Sequence, residues 1–390
     1  MTSSRRSTKT SEKSMPPRTE TPAPVIAIGS GAIESIVRCD TPLQIGRKQI
    51  VRQEESLGGS GLNYTLRLLA AGYPVLPILP VGNDGRGRLI RDSISTAAGK
   101  ITDRPELAKF LSPRKFFVSR LATPRSTLLV NQGQTTVFSE KFVEGNDFRK
   151  HLKKRFHDIE HGLGIVPGGV IVGHIYGDKS NGHPHVPGEC TRFIIDYWQG
   201  KAPVFLNLGH SQIELGIAFW EDAIRKTSVM QMNIWEYKNL MKTAGRLPSL
   251  RKIIAWFRER RINAVISMGR FGALGVHGDG KDGLIYGQAL LPPERVRDAT
   301  GAGDAFAAGL ASALAGSTSF SFEDFRVAMA EAGIWASYAC TTLGGSGYCP
   351  DGRELAAFRK ELGAEDHNSI KIVDIKTAGP MLDMMDLLYS

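Results

Sequence analysis

Asp304 is the residue of this chain best placed to do chemistry. It lies in Asp298-Ala-Thr-Gly-Ala-Gly-Asp-Ala-Phe306, a small-residue run that leads straight into an alanine-rich stretch, 305–315. A helix start offers free backbone N–H groups and partial positive charge, so it draws anions. Gly301 and Gly303 let a ligand meet the backbone with no Cβ between. A carboxylate among amide donors does not suit a site that only holds phosphate. It suits a site where the anion is a group in transit and Asp304 takes the proton of the attacking hydroxyl. A buried glycine turn with an Asp cap is the plainer reading.

Three other runs offer related chemistry. Asn233-Ile-Trp-Glu236 follows a predicted strand end, where ligands gather in open α/β sheets. Asn233 and Glu236, three apart, share one helical face and can hold a hydrated Mg²⁺ near phosphates. The alternative is a surface Asn and a first-turn Glu. Ser267-Met-Gly-Arg-Phe-Gly272 closes a strand with two glycines and suits a backbone cradle for polyphosphate, or an ordinary turn. Gly58 and Gly59 let a polyhydroxylated ligand lie on the backbone while Asn63 reads a hydroxyl, unless they only open a helix. His174, His183, His185 and His210 show no i, i+4 pair, and the Gly- and Pro-rich stretch 174–185 reads as a solvated loop, or else a substrate-contacting segment, rather than a zinc site.

The elements that must position these residues alternate. Val25–Gly29, Val75–Leu79, 170–172, 204–206, 228–232 and 264–267 are short apolar runs expected as buried strands, with helical patterns between them, including one opened by Gly58–Asn63 that runs to roughly Gly72 and one near 86–98. Such alternation implies a mostly parallel sheet sandwiched by helices. Two irregular β segments, about 38–57 and 115–142, predict a small lid. Residues 1–24 carry five basic and two acidic side chains among Ser, Thr and Pro, and read as a disordered tail. The main domain is expected over 25–372, with 373–390 a C-terminal extension.

The net charge of +10 suits anionic ligands, although part of it lies in the tail. The basic residues are otherwise scattered and no nucleic-acid module is recognisable. No run approaches 18 apolar residues, so no membrane span is expected. Cys39, Cys190, Cys340 and Cys349 lack metal spacing and a disulfide framework, which fits a cytoplasmic setting.

Taken in order, these motifs resemble the ribokinase or phosphofructokinase-B (PfkB) family of carbohydrate kinases over roughly residues 25–350. Asp298–Phe306 is similar to the family's C-terminal signature. Gly58–Asn63, with Leu66, Leu69, Gly72 and Gly82-Asn-Asp-Gly85, is similar to its N-terminal one, and Asn233–Glu236 to its Asn-x-x-Glu motif. The resemblance implies a ribokinase-like fold and transfer of the ATP γ-phosphoryl group to a hydroxyl of a sugar or sugar acid. It implies Asp304 as base and the amides of Gly301, Ala302 and Gly303 as an anion hole. Ser267, Gly269 and Gly272 would contact nucleotide phosphates, and Asn233 and Glu236 would organise Mg²⁺ and its waters. Asp298 and Thr300, with carbonyls of 343–348, match positions that hold a monovalent cation, often K⁺, in many members. Gly58, Gly59 and Asn63 would bind the sugar. Glu34 stands where many sugar kinases carry an Asp that grips two hydroxyls, which puts ribose in doubt.

Two other functions stay open. A nucleoside kinase would use Phe116, Phe117, Phe138 or Phe142 of the lid to stack on a base. A catalytically silent kinase-like protein would bind a partner through its basic tail. Family lids often pair between subunits, and the exposed lid edges favour a homodimer.

Overall fold

The structure, a computed structural model, describes residues 22–39, 41–99, 111, 117–119, 122–131, 134–140, 146–175, 188–279, 283–364, 370–375 and 377–389. Residues 1–21 of the expected tail lie outside these.

Fifteen described strands build three sheets. They are β1 (Val25–Ile28), β2 (Ala32–Cys39), β3 (Arg52–Gly58), β4 (Val75–Ile78), β5 (Pro80–Gly82), β6 (Phe117–Ser119), β7 (Arg125–Asn131) and β8 (Gln134–Ser139). After them come β9 (Gly169–Val172), β10 (Val204–Leu206), β11 (Val229–Asn233), β12 (Ala264–Ser267), β13 (Ala273–Val276), β14 (Leu284–Gly287) and β15 (Ile370–Val373). The main sheet runs β15-β14-β13-β12-β11-β10-β9-β1-β4. Its members from β4 to β12 are parallel and β13 to β15 are antiparallel.

Strand periodicity divides the core in two. Ile26, Ile28, Val170, Val172, Met230, Met232 and Ile266 face one layer with Trp198, Trp220 and Phe257. Val25, Ala27, Ile171, Phe205, Val229 and Val265 face the other, with Leu310, Phe325 and Trp335. Side chains alternate across a strand, so an unbroken apolar run serves both faces. Burying each large side chain is worth roughly 1.5–3 kcal/mol.

Helix Ala302–Leu314 packs closely on helix Phe322–Ala339 because its residues are small. A Cβ on Gly309 would come within 2.9 Å of the Trp335 ring. That close seat puts the helix start beside the carboxyl ends of the parallel strands.

The second sheet, β3-β2-β7-β8, is the lid. Its first segment differs from the expected 38–57. Residues 41–51 form no strand, and β2 begins at Ala32, so Glu34 belongs to the lid. Within 115–142 the expected hairpin is β7–β8, with its turn, 132–133, outside the described residues. β6 instead pairs with β5. The 373–390 stretch packs on the core: helix Gly379–Leu388 meets helix Leu250–Glu259, where Arg251 grips Asp383 at 2.6 and 2.7 Å.

Candidate active site

The αL turn at Gly301 (φ 75°) starts the Ala302–Leu314 helix and places Asp304 in its first turn. A Cβ on Gly301 would meet the Gly345 Cα at 2.7 Å, so this glycine lets two loops touch. Gly303 is different. A Cβ there would meet only the Gln231 side-chain nitrogen, at 4.0 Å, and the residue is exposed. Among the described residues none requires glycine at that position, and the helix start is open to approach there. The expected trio of amides is reduced to two. The Ala302 N–H donates to the Ala299 carbonyl at 3.1 Å, whereas no described residue accepts from Gly301 or Gly303.

Asp304 is oriented by Asn63, whose Nδ2 donates to Asp304 Oδ2 at 2.6 Å. The Ser346 hydroxyl donates to Asn63 Oδ1, which fixes that amide. The Tyr64 hydroxyl lies beside Asp304 and Ser60, deeply buried, without a completed hydrogen bond. Burial and the Asp304 charge push it well above an ordinary tyrosine.

Glu34 enters from β2 across Ser56 and Ser126. The Gly345 N–H donates to its Oε2 at 3.4 Å. Burial pushes its carboxyl up to about 7, and the nearby Asp304 and Asp298 charges add to the rise. Gly58 and Gly59 do not open space for a ligand. A Cβ on Gly58 would lie 2.0 Å from the Glu34 carboxyl carbon, and one on Gly59 2.7 Å from the Ser30 carbonyl. They admit Glu34 and the β1–β2 turn.

Asn233 and Glu236 form a reciprocal helix cap. Glu236 N–H donates to Asn233 Oδ1 at 2.9 Å and Asn233 N–H to Glu236 Oε2 at 2.8 Å. Their cap role does not exhaust Glu236. Burial raises its carboxyl, and Asp304 is near enough to raise it further. Two carboxylates of this kind leave negative charge that a divalent cation would offset. Asn233 pairs in register with Ser267, so the two runs lie side by side. Gly269 (φ 54°) has only the Tyr389 hydroxyl near its missing Cβ, at 3.9 Å. Gly272 (φ 84°) is turned against the Gly287 carbonyl, 1.9 Å from where its Cβ would stand. Gly272 therefore shapes the turn and faces β14.

Asp298 fits a monovalent cation poorly. Its Oδ1 accepts from Thr300 N and Oγ1 at 2.9 and 2.7 Å, and its Oδ2 accepts from Gly344 N at 2.9 Å. The Arg38 guanidinium stands 3.9 Å away and already supplies positive charge.

Sequence reading missed a polar row at the ends of β9, β10 and β11. His174 Nε2 meets Asn207 Oδ1 at 3.2 Å, and Asn207 Nδ2 donates to Gln231 Oε1 at 2.8 Å. Gln231 then ends beside Gly303. Consecutive positions at parallel strand ends were the available signal. His174 is not in a solvated loop: its N–H donates to Ser60 Oγ at 2.8 Å. His210 is exposed beside Glu214. His183 and His185 lie outside the described residues, as do Phe116 and Phe142. Among the described residues, no cluster of three or more His, Cys, Asp and Glu could hold a metal, and no helix is long and apolar enough to cross a membrane.

Comparison with solved structures places this arrangement in a known fold. A ribokinase from Thermotoga maritima matches with TM-score 0.62 and 17% identity, covering 87% of this chain and 99% of its own. Arabidopsis thaliana ribokinase, complexed with ribose and ATP, matches with TM-score 0.59 and 16% identity, over 87% and 99%. A Burkholderia thailandensis nucleoside kinase, in complex with inosine, matches with TM-score 0.61 and 19% identity, over 87% and 97%. No curated protein matches the sequence. The model of the pfkB family carbohydrate kinases matches residues 219–346, the segment that holds Asn233, Glu236, Ser267, Asp298 and Asp304. That match over residues 219–346, set on a ribokinase-like fold, makes this segment similar to the pfkB family carbohydrate kinases and marks the chain as a kinase, a phosphotransferase with an alcohol group as acceptor.

Proposed function

We propose that the protein transfers the γ-phosphoryl group of ATP to a hydroxyl of a sugar or sugar acid, with Asp304 as the general base. The carrying observation is the pairing of Asp304, held by Asn63 at 2.6 Å, with the unfilled space over Gly303 one residue earlier. The acceptor hydroxyl approaches Asp304 from the lid side, where Glu34 supplies a carboxyl to grip neighbouring hydroxyls. Asp304 removes the proton as the hydroxyl attacks. The N–H groups of Gly301 and Gly303 stabilise charge on the transferring group. Gly269 and its neighbours take the nucleotide phosphates. Glu236 and Asn233 would hold Mg²⁺ through its waters, and the ion would supply charge neutralisation between the phosphates. No step is assigned to a monovalent cation, because Arg38 serves Asp298. Such transfer asks mainly for alignment and charge stabilisation, which this site provides from fixed elements.

The test is ADP production against a panel of sugars, sugar acids and nucleosides. Asp304→Asn should lower kcat on the best acceptor by about 10²–10⁴, the usual worth of a positioned base. ATP binding should survive. Turnover within about tenfold of the parent would remove Asp304 from the base role. Strong preference for nucleosides would move the acceptor class and leave the base in place.

A further inference from the structure

The end of the chain touches the site in a way the reaction does not use. Helix Gly379–Leu388 delivers Tyr389 onto the Ser267–Gly272 loop. The Tyr389 hydroxyl donates to the Met268 carbonyl at 2.5 Å. Its ring meets Trp235 and Phe271 edge-on, with centroids 6.1 Å away in both cases. The backbone beneath is anchored as well. Lys238, only 3% exposed, donates to the Tyr389 carbonyl at 2.9 Å and pairs with Asp386 at 2.8 Å. Asp386 also accepts from Leu250 N–H at 3.1 Å. Lys238 and Trp235 share the short helix that carries Glu236. The tail therefore ties the Asn233–Glu236 cap to the neighbouring loop.

That loop needs holding. It is a glycine turn with two positive φ angles, Gly269 at 54° and Gly272 at 84°. Glycine has the most conformational freedom to lose. Two tyrosines pin its carbonyls: Tyr389 holds Met268, and Tyr286 holds Phe271 at 3.0 Å. Among the described residues, none accepts from the N–H groups of Gly269 or Arg270. A turn fixed with unspent amides binds an anion without first becoming ordered, and preorganisation of this kind raises affinity.

We propose that the C-terminal segment 379–389 is a clamp that keeps the 267–272 loop in its anion-binding shape, with Tyr389 as a positioning residue for the nucleotide. The clamp rests on the reading of that loop as the nucleotide's seat. The two ideas separate in one set of titrations. Calorimetry with the β,γ-imido analogue of ATP and Mg²⁺ on the full chain needs no knowledge of the acceptor. Tyr389→Phe keeps the ring against Trp235 and Phe271 and removes only the bond to Met268. It should raise the nucleotide Kd about three- to tenfold, the range of one hydrogen bond, with little change in melting temperature. Removing Tyr389 and Ser390 should raise it further. Gly269→Val, with the tail intact, should also weaken binding. If Gly269→Val weakens binding but neither tail variant does, the clamp is wrong and the loop reading stands. If Gly269→Val leaves the Kd unchanged, the loop does not seat the nucleotide and the clamp falls with it. A Tyr389→Phe protein that melts lower at unchanged Kd makes the contact structural and overturns the clamp.

Discussion

Glu34 stands between two charge states near neutral pH. Its carboxyl is pushed from 4.5 up to about 7, chiefly because burial disfavours the ionised form. The folded chain keeps this proton up to about pH 7, while the unfolded chain releases it near pH 4.5. Between those values the native state binds more protons. The stability from this group is then full below pH 4.5 and is lost as pH rises through about 7. Glu34→Gln keeps an acceptor for Gly345 N–H and removes the titration. Urea melts at a series of pH values between about 5 and 8 should show parental stability falling relative to the variant, with the gap widening up to about pH 7 and levelling off above it. Parallel curves would mean that Glu34 ionises normally. At this scale the place of Asp304 in the first turn of a helix was legible in the sequence, because a Gly-Ala-Gly turn leads there into an alanine-rich run. The Asn63 contact to it was not, since 241 positions separate the pair and only the fold brings them together.

The lid depends on how two strands meet a helix start. β3 ends at Gly58, which pairs with Ala32 at the beginning of β2, and helix Ser60–Ala70 follows at once. The Glu34 side chain crosses the face of Gly58, so a Cβ there would lie 2.0 to 2.5 Å from its carboxyl and Cγ atoms. Gly58→Ala should destabilise by about 1–3 kcal/mol, the usual cost of overpacking. Adding Glu34→Ala should recover most of that loss, because the clash has one partner. A double-mutant cycle by urea unfolding measures it, and additive losses would show that Gly58 serves the strand alone. The reason for this glycine could not be read from a linear run, where Gly58 and Gly59 look like room for a ligand. The strands of the parallel core were easier. Runs such as Val-Ile-Ala-Ile and Val-Leu-Pro-Ile are buried throughout, as two covered faces demand. β2 mixes apolar and charged residues and was placed late for that reason. β13 and β14 flank Gly278-Asp279-Gly280, a hairpin signal that was present and unused.

At the scale of the whole molecule, the lid sheet has two open edges among the described residues, β3 and β8, each paired on one side only. The face that carries Glu34 is satisfied, with Ile36 and its cross-strand neighbour Leu128 buried. Its outer parts are not. Ile45 and Ile50 are essentially fully exposed at 103% and 96%, and Val137 and Phe138 on β8 expose 55% and 58%. Single exposed apolar residues are ordinary, but several on a small open-edged sheet and on the 41–51 connection between two of its strands favour association. A second copy of the chain fits these edges, because an open strand edge is self-complementary under two-fold symmetry. We therefore expect a dimer of about 85 kDa, twice the 42.5 kDa chain mass, by sedimentation equilibrium. Ile45→Lys with Ile50→Lys places charge on the same surface and should give the 42.5 kDa species, with nucleotide binding intact because the loops around Gly269 and Gly303 lie on the core. A parent chain that sediments as a monomer at tens of micromolar would sink this expectation. If dimer formation holds, the pairing also bears on catalysis: a lid braced by its twin closes over the acceptor with less freedom to lose and shields the transferring group from water.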